Sequence, residues 1–203
     1  MPASIDSLLA RVSKPARYAG GEWNSVTKRW DTTSVRVALA FPDAYDIGMS
    51  NMGLGILYDL LNKVDDVVCE RVFAPWEDME AEMRREGVPL WSLETRARVR
   101  DFDVLGFTLQ YEMTYTNVLN MLELAGIPVW ARERMDEHPI VIAGGSGAFN
   151  PEPLSPFIDA FFLGEGEDAV IELADFVREW KRDGTPRQER LRQLLGMPGV
   201  YVP

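Results

Sequence analysis

The sequence predicts an α/β domain built on a doubly wound, mostly parallel sheet of five strands. Short, mainly apolar runs alternate with stretches that are apolar at helical spacing. Two of the runs, Ile140–Ala143 and Ala160–Leu163, stop at glycine turns. Strands that are apolar on both faces are typical of parallel sheets covered by helices on both sides. We therefore expect a flavodoxin-like, Rossmann-like three-layer fold with strand order 2-1-3-4-5.

Length, charge and cysteine content limit the functions open to the chain. Its 203 residues fit one domain with extensions, and no apolar run is long enough to cross a bilayer. The N-terminus lacks a signal peptide and Cys69 is the only cysteine, so we expect no internal disulfide and a cytoplasmic location. The formal net charge of −11 repels phosphate backbones, which argues against direct nucleic-acid binding.

The first 33 residues form an N-terminal arm outside the predicted sheet. Ile5, Leu8, Leu9 and Val12 have helical spacing, which indicates a short amphipathic helix. The following stretch, Lys14–Trp23, breaks any regular pattern. The arm lies either on the domain surface or on a neighbour, or it is a poorly ordered terminus.

The predicted domain covers residues 34–181, with its elements in the following order. The strands are Val35–Phe41, Val67–Phe73, Val104–Leu109, Ile140–Ala143 and Ala160–Leu163. The helices begin after a cap at Ser50 or Asn51, at Glu77, at about Glu112 and at Glu167. Residues 182–203 are expected to form one more helix, Arg187–Leu195, and a linker toward a further domain.

The candidate ligand site lies where the strands end, because open α/β sheets bind ligands outside the carboxyl ends of their strands. The predicted cofactor-binding residues are Asp43, Tyr45, Thr108, Gln110, Tyr111, Gly144, Gly145, Ser146, Gly147, Gly164, Glu165 and Gly166. A larger side chain at Gly145 is expected to block binding and to leave most of the fold intact. A glycine turn of this kind can also be no more than a tight strand exit.

The chemistry of this edge excludes several classes of site. Carboxylates at Glu165, Glu167 and Asp168 would repel a bare phosphate, so ribose hydroxyls or amides suit the site better. We predict no catalytic residues and no metal ligands, since one histidine, His138, and one cysteine make no metal cluster and no nucleophile has a base nearby. A phosphate-accepting receiver domain is also excluded, because the third strand does not end in aspartate.

Five stretches give the chain a family resemblance: Lys14–Tyr18, Phe41–Asn51, Phe102–Glu112, Gly144–Leu154 and Gly164–Glu167. The chain resembles the N-terminal, cobalamin-binding-type domain of a family of radical S-adenosyl-L-methionine (radical SAM) proteins. The resemblance implies that cobalamin is held over the carboxyl ends of the strands. It also implies a following radical SAM domain in which three cysteines hold a 4Fe-4S cluster beside S-adenosylmethionine. This chain would then not be catalytic by itself.

The resemblance is incomplete at the loop after the first strand. Cobalamin domains carry Asp-x-His-x-x-Gly there, whereas this chain has Asp43–Gly48 with no histidine. Two hypotheses remain. In the first, the domain holds a corrinoid or related nucleotide-tailed cofactor without a protein histidine. In the second, it binds nothing small and docks on the radical SAM domain or a partner, which the aromatic residues Tyr18, Trp23 and Trp30 of the arm favour.

Overall fold

A computed structural model describes residues 4–203 and contains one six-stranded sheet with the strand order β2-β1-β3-β4-β5-β6. The strands are β1 (Val35–Phe41), β2 (Val67–Phe73), β3 (Val104–Thr108), β4 (Ile140–Gly144), β5 (Ala160–Phe162) and β6 (Val200–Tyr201). Strands β1 to β5 are parallel, which confirms the predicted flavodoxin-like fold and the order 2-1-3-4-5.

The sixth strand departs from the predicted five. Val200–Tyr201 pairs antiparallel with β5 in the stretch that the sequence assigns to a linker. A pair of residues at a sheet edge is too short to show a strand period, and β5 itself supplies the partner.

Helices cover both faces of the sheet. They are α1 (Ile5–Leu9), α2 (Ala16–Ala19), α3 (Tyr45–Gly48), α4 (Met52–Asn62), α5 (Glu77–Glu86), α6 (Tyr115–Ala125), α7 (Glu167–Asp183) and α8 (Arg187–Leu194). Short 3-10 turns occur at Trp30–Thr32, Val99–Asp101, Glu112–Thr114, Ala131–Glu133, Ser146–Phe149 and Glu152–Leu154. Helices α1, α5 and α6 pack on one face, and α4, α7 and α8 pack on the other. Within residues 4–203, no helix combines the length and apolar character that a membrane crossing needs.

The helix ends follow the chemistry expected from the sequence. The Asn51 side chain accepts a hydrogen bond from the Leu54 amide at 2.9 Å and so caps α4. Helices α5 and α6 end at Gly87 and Gly126, both in the left-handed conformation. After each of these helices the chain lies at the amino edge of the sheet, where the next strand begins. The carboxyl ends of the parallel strands therefore all lie at the opposite edge.

The N-terminal arm lies on its own domain. Leu8 and Tyr18 are buried, and the Ser13 hydroxyl donates to the Asp78 carboxylate at 2.7 Å. Farther along, the Lys28 ammonium donates to the carbonyls of Val64 and Val67. The stretch expected to be irregular contains the short helix α2, which is stabilised by burial of Tyr18 rather than by local periodicity.

A buried carboxylate joins the starts of β4 and β5. The Asp159 carboxylate accepts a hydrogen bond from the Val141 amide at 2.7 Å. The same oxygen lies 3.0 Å from Arg134 Nη1 and 2.5 Å from Arg187 Nη2. All three charged side chains are nearly inaccessible to water. The group holds α8 under the amino edge of the sheet, far from the carboxyl edge.

Candidate functional site

A cavity of about 280 Å³ opens at the carboxyl ends of the central strands, on the face covered by α4 and α7. We call it the carboxyl-edge cavity. Its lining consists of Leu39, Gly53, Leu57, Gly106, Phe107, Thr108, Gln110, Ile142, Gly144, Gly145, Phe162, Gly164, Glu165, Gly166, Glu167 and Val170. Parallel strands place the ligand edge of such a sheet here, so the cavity lies where the topology predicts a ligand.

The floor of the cavity is open because a glycine occupies the middle of β3. Gly106 lies between Leu39 on β1 and Ile142 on β4, and all three face α4 and α7. A Cβ atom at Gly106 would come within 3.3 Å of Leu39 and 3.4 Å of Ile142. A side chain at this position would therefore crowd the floor and shrink the cavity.

Two further glycines face the cavity although their backbone conformations do not require glycine. Neither Gly53, in the first turn of α4, nor Gly144, at the end of β4, has a positive φ. A Cβ atom at Gly53 would lie 3.4 Å from the Asn51 side chain, and one at Gly144 would lie 3.7 Å from the Phe162 carbonyl. These are ordinary van der Waals distances. The fold tolerates side chains here, and what they would occupy is the cavity itself.

The next glycine of the turn has a structural role instead. Gly145 has φ 94° and ψ −178°, a conformation that only glycine adopts readily. A Cβ atom there would lie 2.5 Å from the Leu109 carbonyl oxygen, which already accepts a hydrogen bond from the Gly147 amide at 3.0 Å. The expectation that a valine at Gly145 leaves the fold intact is therefore wrong, because its Cβ atom meets backbone before it reaches any ligand.

The mouth of the cavity is acidic and carries open backbone donors. Gly164 has φ 119°, and Gly166 precedes α7 with no side chain capping its first amides. Exposed carboxylates at Glu165, Glu167 and Asp168 surround this turn, and none of them forms an ion pair within residues 4–203. The mouth therefore offers acceptors and amide donors to a neutral hydroxylated group and repels a free phosphate.

The loops after β1, β3 and β4 are joined by side-chain hydrogen bonds. The Tyr111 hydroxyl donates to the Asp43 carboxylate, and this bond raises the pKa of Tyr111. The Ser146 hydroxyl donates to the Gln110 carbonyl at 3.0 Å. Asp43, Tyr111 and Ser146 thus lie beside the cavity but do not line it.

The structure separates Tyr45 from the other predicted site residues. Its hydroxyl donates to the Glu22 carboxylate of the arm at 2.6 Å, and its ring packs edge-on against Phe73. Burial and the hydrogen bond to Glu22 raise the pKa of Tyr45 to about 12. Gly147 is also set apart, since its amide and carbonyl serve the turn through Leu109 and Tyr115.

Several residues that line the carboxyl-edge cavity were not predicted from the sequence. The residues not predicted are Leu39, Gly53, Leu57, Gly106, Phe107, Ile142, Phe162, Glu167 and Val170. Most are ordinary core residue types, so their types reveal nothing. The isolated Gly106 in a strand and Gly53 in the first turn of a helix are the signals that could have found the cavity, since both positions weaken regular structure.

The only histidine and cysteine are far from the cavity. The His138 ring accepts a hydrogen bond from the Met135 amide, at the opposite edge of the sheet. Cys69 is buried in β2, and burial raises the pKa of its thiol. Residues 4–203 hold no group of histidine, cysteine and carboxylate side chains arranged to bind a metal.

Comparison with known proteins agrees with this architecture. Residues 53–203 match the family described as radical SAM proteins, N-terminal. An uncharacterized protein of Methanocaldococcus jannaschii is 26% identical over 149 residues, which is 73% of this chain. The matched region makes up 28% of that relative.

Proposed function

This chain belongs to the family formed by the N-terminal regions of radical SAM proteins, and from this premise we propose that its carboxyl-edge cavity holds part of a cobalamin or a related nucleotide-tailed cofactor. A companion radical SAM domain would supply the 4Fe-4S cluster and S-adenosylmethionine. The observation that carries the proposal is the pair of glycines, Gly53 and Gly144, that face a cavity at the ligand edge although neither backbone conformation nor packing requires glycine there.

The lining favours an uncharged, flat group inside the cavity. Leu39, Leu57 and Ile142 provide an apolar floor and wall, and Thr108 and Gln110 add a hydroxyl and an amide at the rim. Such a mixture of apolar walls and a few polar groups is typical of small-molecule sites. A nucleoside has this character, because its base is flat and apolar on its faces and its ribose carries hydroxyls.

The volume and the charge limit how much of a cofactor enters. Pockets for drug-sized ligands occupy roughly 300–1,000 Å³, so 280 Å³ suits a portion of a large cofactor. Glu165 and Glu167 at the mouth disfavour a phosphate inside. The nucleoside end of a corrinoid is the part we assign to the cavity, with the macrocycle outside it.

The residues present do not fit one feature of cobalamin domains. The Asp43–Gly48 loop has no histidine, and His138 lies at the other edge of the sheet. No imidazole of residues 4–203 can therefore act as the lower axial ligand of cobalt at this site. A corrinoid bound here would therefore receive no imidazole ligand from residues 4–203.

The alternative function is a module that docks on the radical SAM domain without a small ligand. The aromatic residues of the arm no longer favour it, because Tyr18 is buried and Trp30 packs at 5.0 Å against Phe102. Trp23 alone is fully exposed. The observation that favours docking is instead a group of exposed apolar side chains at the carboxyl edge, which is compatible with either function.

A pair of matched substitutions tests the ligand. Gly53 and Gly55 both lie near the start of α4, but only Gly53 lines the cavity. Leucine at either position improves helix propensity, by about 0.5–1 kcal/mol at most. After incubation with hydroxocobalamin and gel filtration, the parent and Gly55→Leu should retain the corrinoid spectrum, and Gly53→Leu should lose it. Absence of retained corrinoid in the parent, or retention by Gly53→Leu equal to that of the parent, contradicts the proposal.

A further inference from the structure

Large apolar side chains are exposed together at the carboxyl edge. The carboxyl-edge surface consists of Ile47, Met52, Trp76, Tyr111, Met113 and Phe149. Met52, Met113 and Phe149 have 79%, 87% and 70% of their surface exposed. These residues follow β1, β2, β3 and β4, so they lie along one edge of the sheet. Apolar side chains gathered in this way mark a binding surface, whereas single exposed ones need no explanation.

Hydrogen bonds and ion pairs hold these loops side by side. Asp43 after β1 accepts from Tyr111 after β3, and the Gln110 carbonyl accepts from Ser146 after β4. At the other end, Arg17 pairs with Asp46 at 2.5 Å and stacks 4.9 Å from the Trp76 ring centroid. The apolar side chains therefore belong to one connected edge and not to independent loops.

The charge around this surface is mainly negative, and its cations, Lys14 and Arg17 of the arm, are both paired with Asp46. The loops that leave β1 to β5, residues 42–51, 74–76, 109–114, 145–159 and 163–166, contain no lysine or arginine. Carboxylates at Glu112, Glu152 and Glu165 form no ion pair in the part of the chain that the structure describes. Two copies of this surface placed face to face would repel each other, so a second copy is disfavoured.

We propose that the carboxyl-edge surface is the interface for the companion radical SAM domain of the same protein, and that this domain presents an apolar patch ringed by lysine and arginine. The occupant follows from family membership and from the relative in Methanocaldococcus jannaschii, 72% of which lies outside the matched region (100% less 28%). The proposal rests on the companion domain of the proposed function and not on corrinoid binding.

The methionines allow a test inside one molecule. Met52 and Met113 belong to the proposed interface, and Met135 is 65% exposed at the opposite edge of the sheet. A polypeptide carrying both domains, free of corrinoid, is exposed to a brief hydroxyl-radical pulse, and sulfoxide at each methionine is measured by mass spectrometry. Because oxidation follows exposure, Met52 and Met113 should react about tenfold more slowly than Met135 if the domain covers them. Buried Met79 and Met121 should stay unoxidised, which shows that the fold is intact.

Charge reversal tests the predicted nature of the partner. Glu112→Lys and Glu152→Lys should increase oxidation of Met113, because each places a cation against the basic ring of the radical SAM domain. Glu172→Lys, at an exposed position on α7, is the matched control and should change nothing. Unchanged protection in the first two variants overturns the basic partner.

Three outcomes overturn the interface itself. Equal oxidation of Met52, Met113 and Met135 shows that nothing covers the surface. Protection that grows with protein concentration identifies a second copy as the occupant. Protection that arises only on adding hydroxocobalamin shows that the ligand, not the domain, covers the edge. Corrinoid retention is read from the visible spectrum of the same preparation, so failure of ligand binding and failure of docking are seen separately.

Discussion

Adjacent glycines in the turn after β4 should respond oppositely to alanine. Gly145→Ala places a Cβ atom 2.5 Å from the Leu109 carbonyl oxygen at a φ of 94°. The backbone strain costs about 1–3 kcal/mol, and displacing the carbonyl loses its hydrogen bond from Gly147, worth about 0.5–1.5 kcal/mol. The expected loss of stability is about 1.5–4.5 kcal/mol, the sum of those two ranges. Gly144→Ala meets nothing closer than 3.7 Å and should leave stability nearly unchanged.

Urea denaturation followed by tryptophan fluorescence measures both variants against the parent. A loss below about 0.5 kcal/mol for Gly145→Ala would show that the turn relaxes at little cost, and the assignment of Gly145 to the fold would be wrong. A loss above about 1 kcal/mol for Gly144→Ala would show that its apparent free space belongs to the packing. Either result refutes the separation of fold from cavity at this turn.

Four further predictions concern the core and the chemistry. Phe161→Ala should lower the free energy of unfolding by about 3–5 kcal/mol, because its side chain is fully buried on β5; a denaturation midpoint near that of the parent would place this strand outside the core. Asp159→Asn should also lower the free energy of unfolding by about 3–5 kcal/mol in urea denaturation, since it leaves the buried guanidinium groups of Arg134 and Arg187 without a carboxylate. The pKa of Tyr45, raised to about 12 from 10, makes the folded state hold its proton more tightly, so stability should fall as pH rises from 10 to 12 and fall less in Tyr45→Phe; parallel pH profiles for the two proteins would contradict this. Finally, the chain purified anaerobically should contain no stoichiometric iron or sulfide, because Cys69 is buried and alone.

The sheet was predictable because its signal is local. The bounds of β1 and β2 agree with those predicted, since each run is rich in β-branched and other apolar residues and is bounded by turn residues. The C-terminal ends of α5 and α6 at Gly87 and Gly126 were equally predictable. The strand order 2-1-3-4-5 was predicted because five strands alternating with helices fit the flavodoxin-like arrangement.

Elements stabilised by distant parts of the chain were not predictable. Helix α2 depends on burial of Tyr18, whose hydroxyl accepts a hydrogen bond from the Trp76 amide at 3.0 Å, 58 residues away. Strand β6 exists because β5 has a free edge. Neither element is long enough to show the hydrophobic periodicity by which helices and strands are predicted from sequence.

The residues of the candidate site at the strand ends were predictable, but the residues that form the wall of the cavity were not. Thr108, Gln110 and Gly144 were placed at the ligand edge by their positions after strands, and the structure brings them to one cavity. The wall formed by Leu57 and Val170 depends on how α4 and α7 lie across the sheet. Packing angles between helix and sheet are not encoded in any short motif, so these residues look like ordinary core.

A glycine at a strand end has several physical causes, and only the structure separates them. Gly145 and Gly164 have positive φ, so the turn itself requires glycine there and a ligand is not needed to explain them. Gly53 and Gly144 have ordinary backbones and free space at the Cβ position, so the turn does not explain them. An unexplained glycine weakens a helix or strand, and a cavity that must stay open for a bound group accounts for that cost. The ligand argument therefore depends on Gly53 and Gly144, and their substitution, not that of Gly145, decides it.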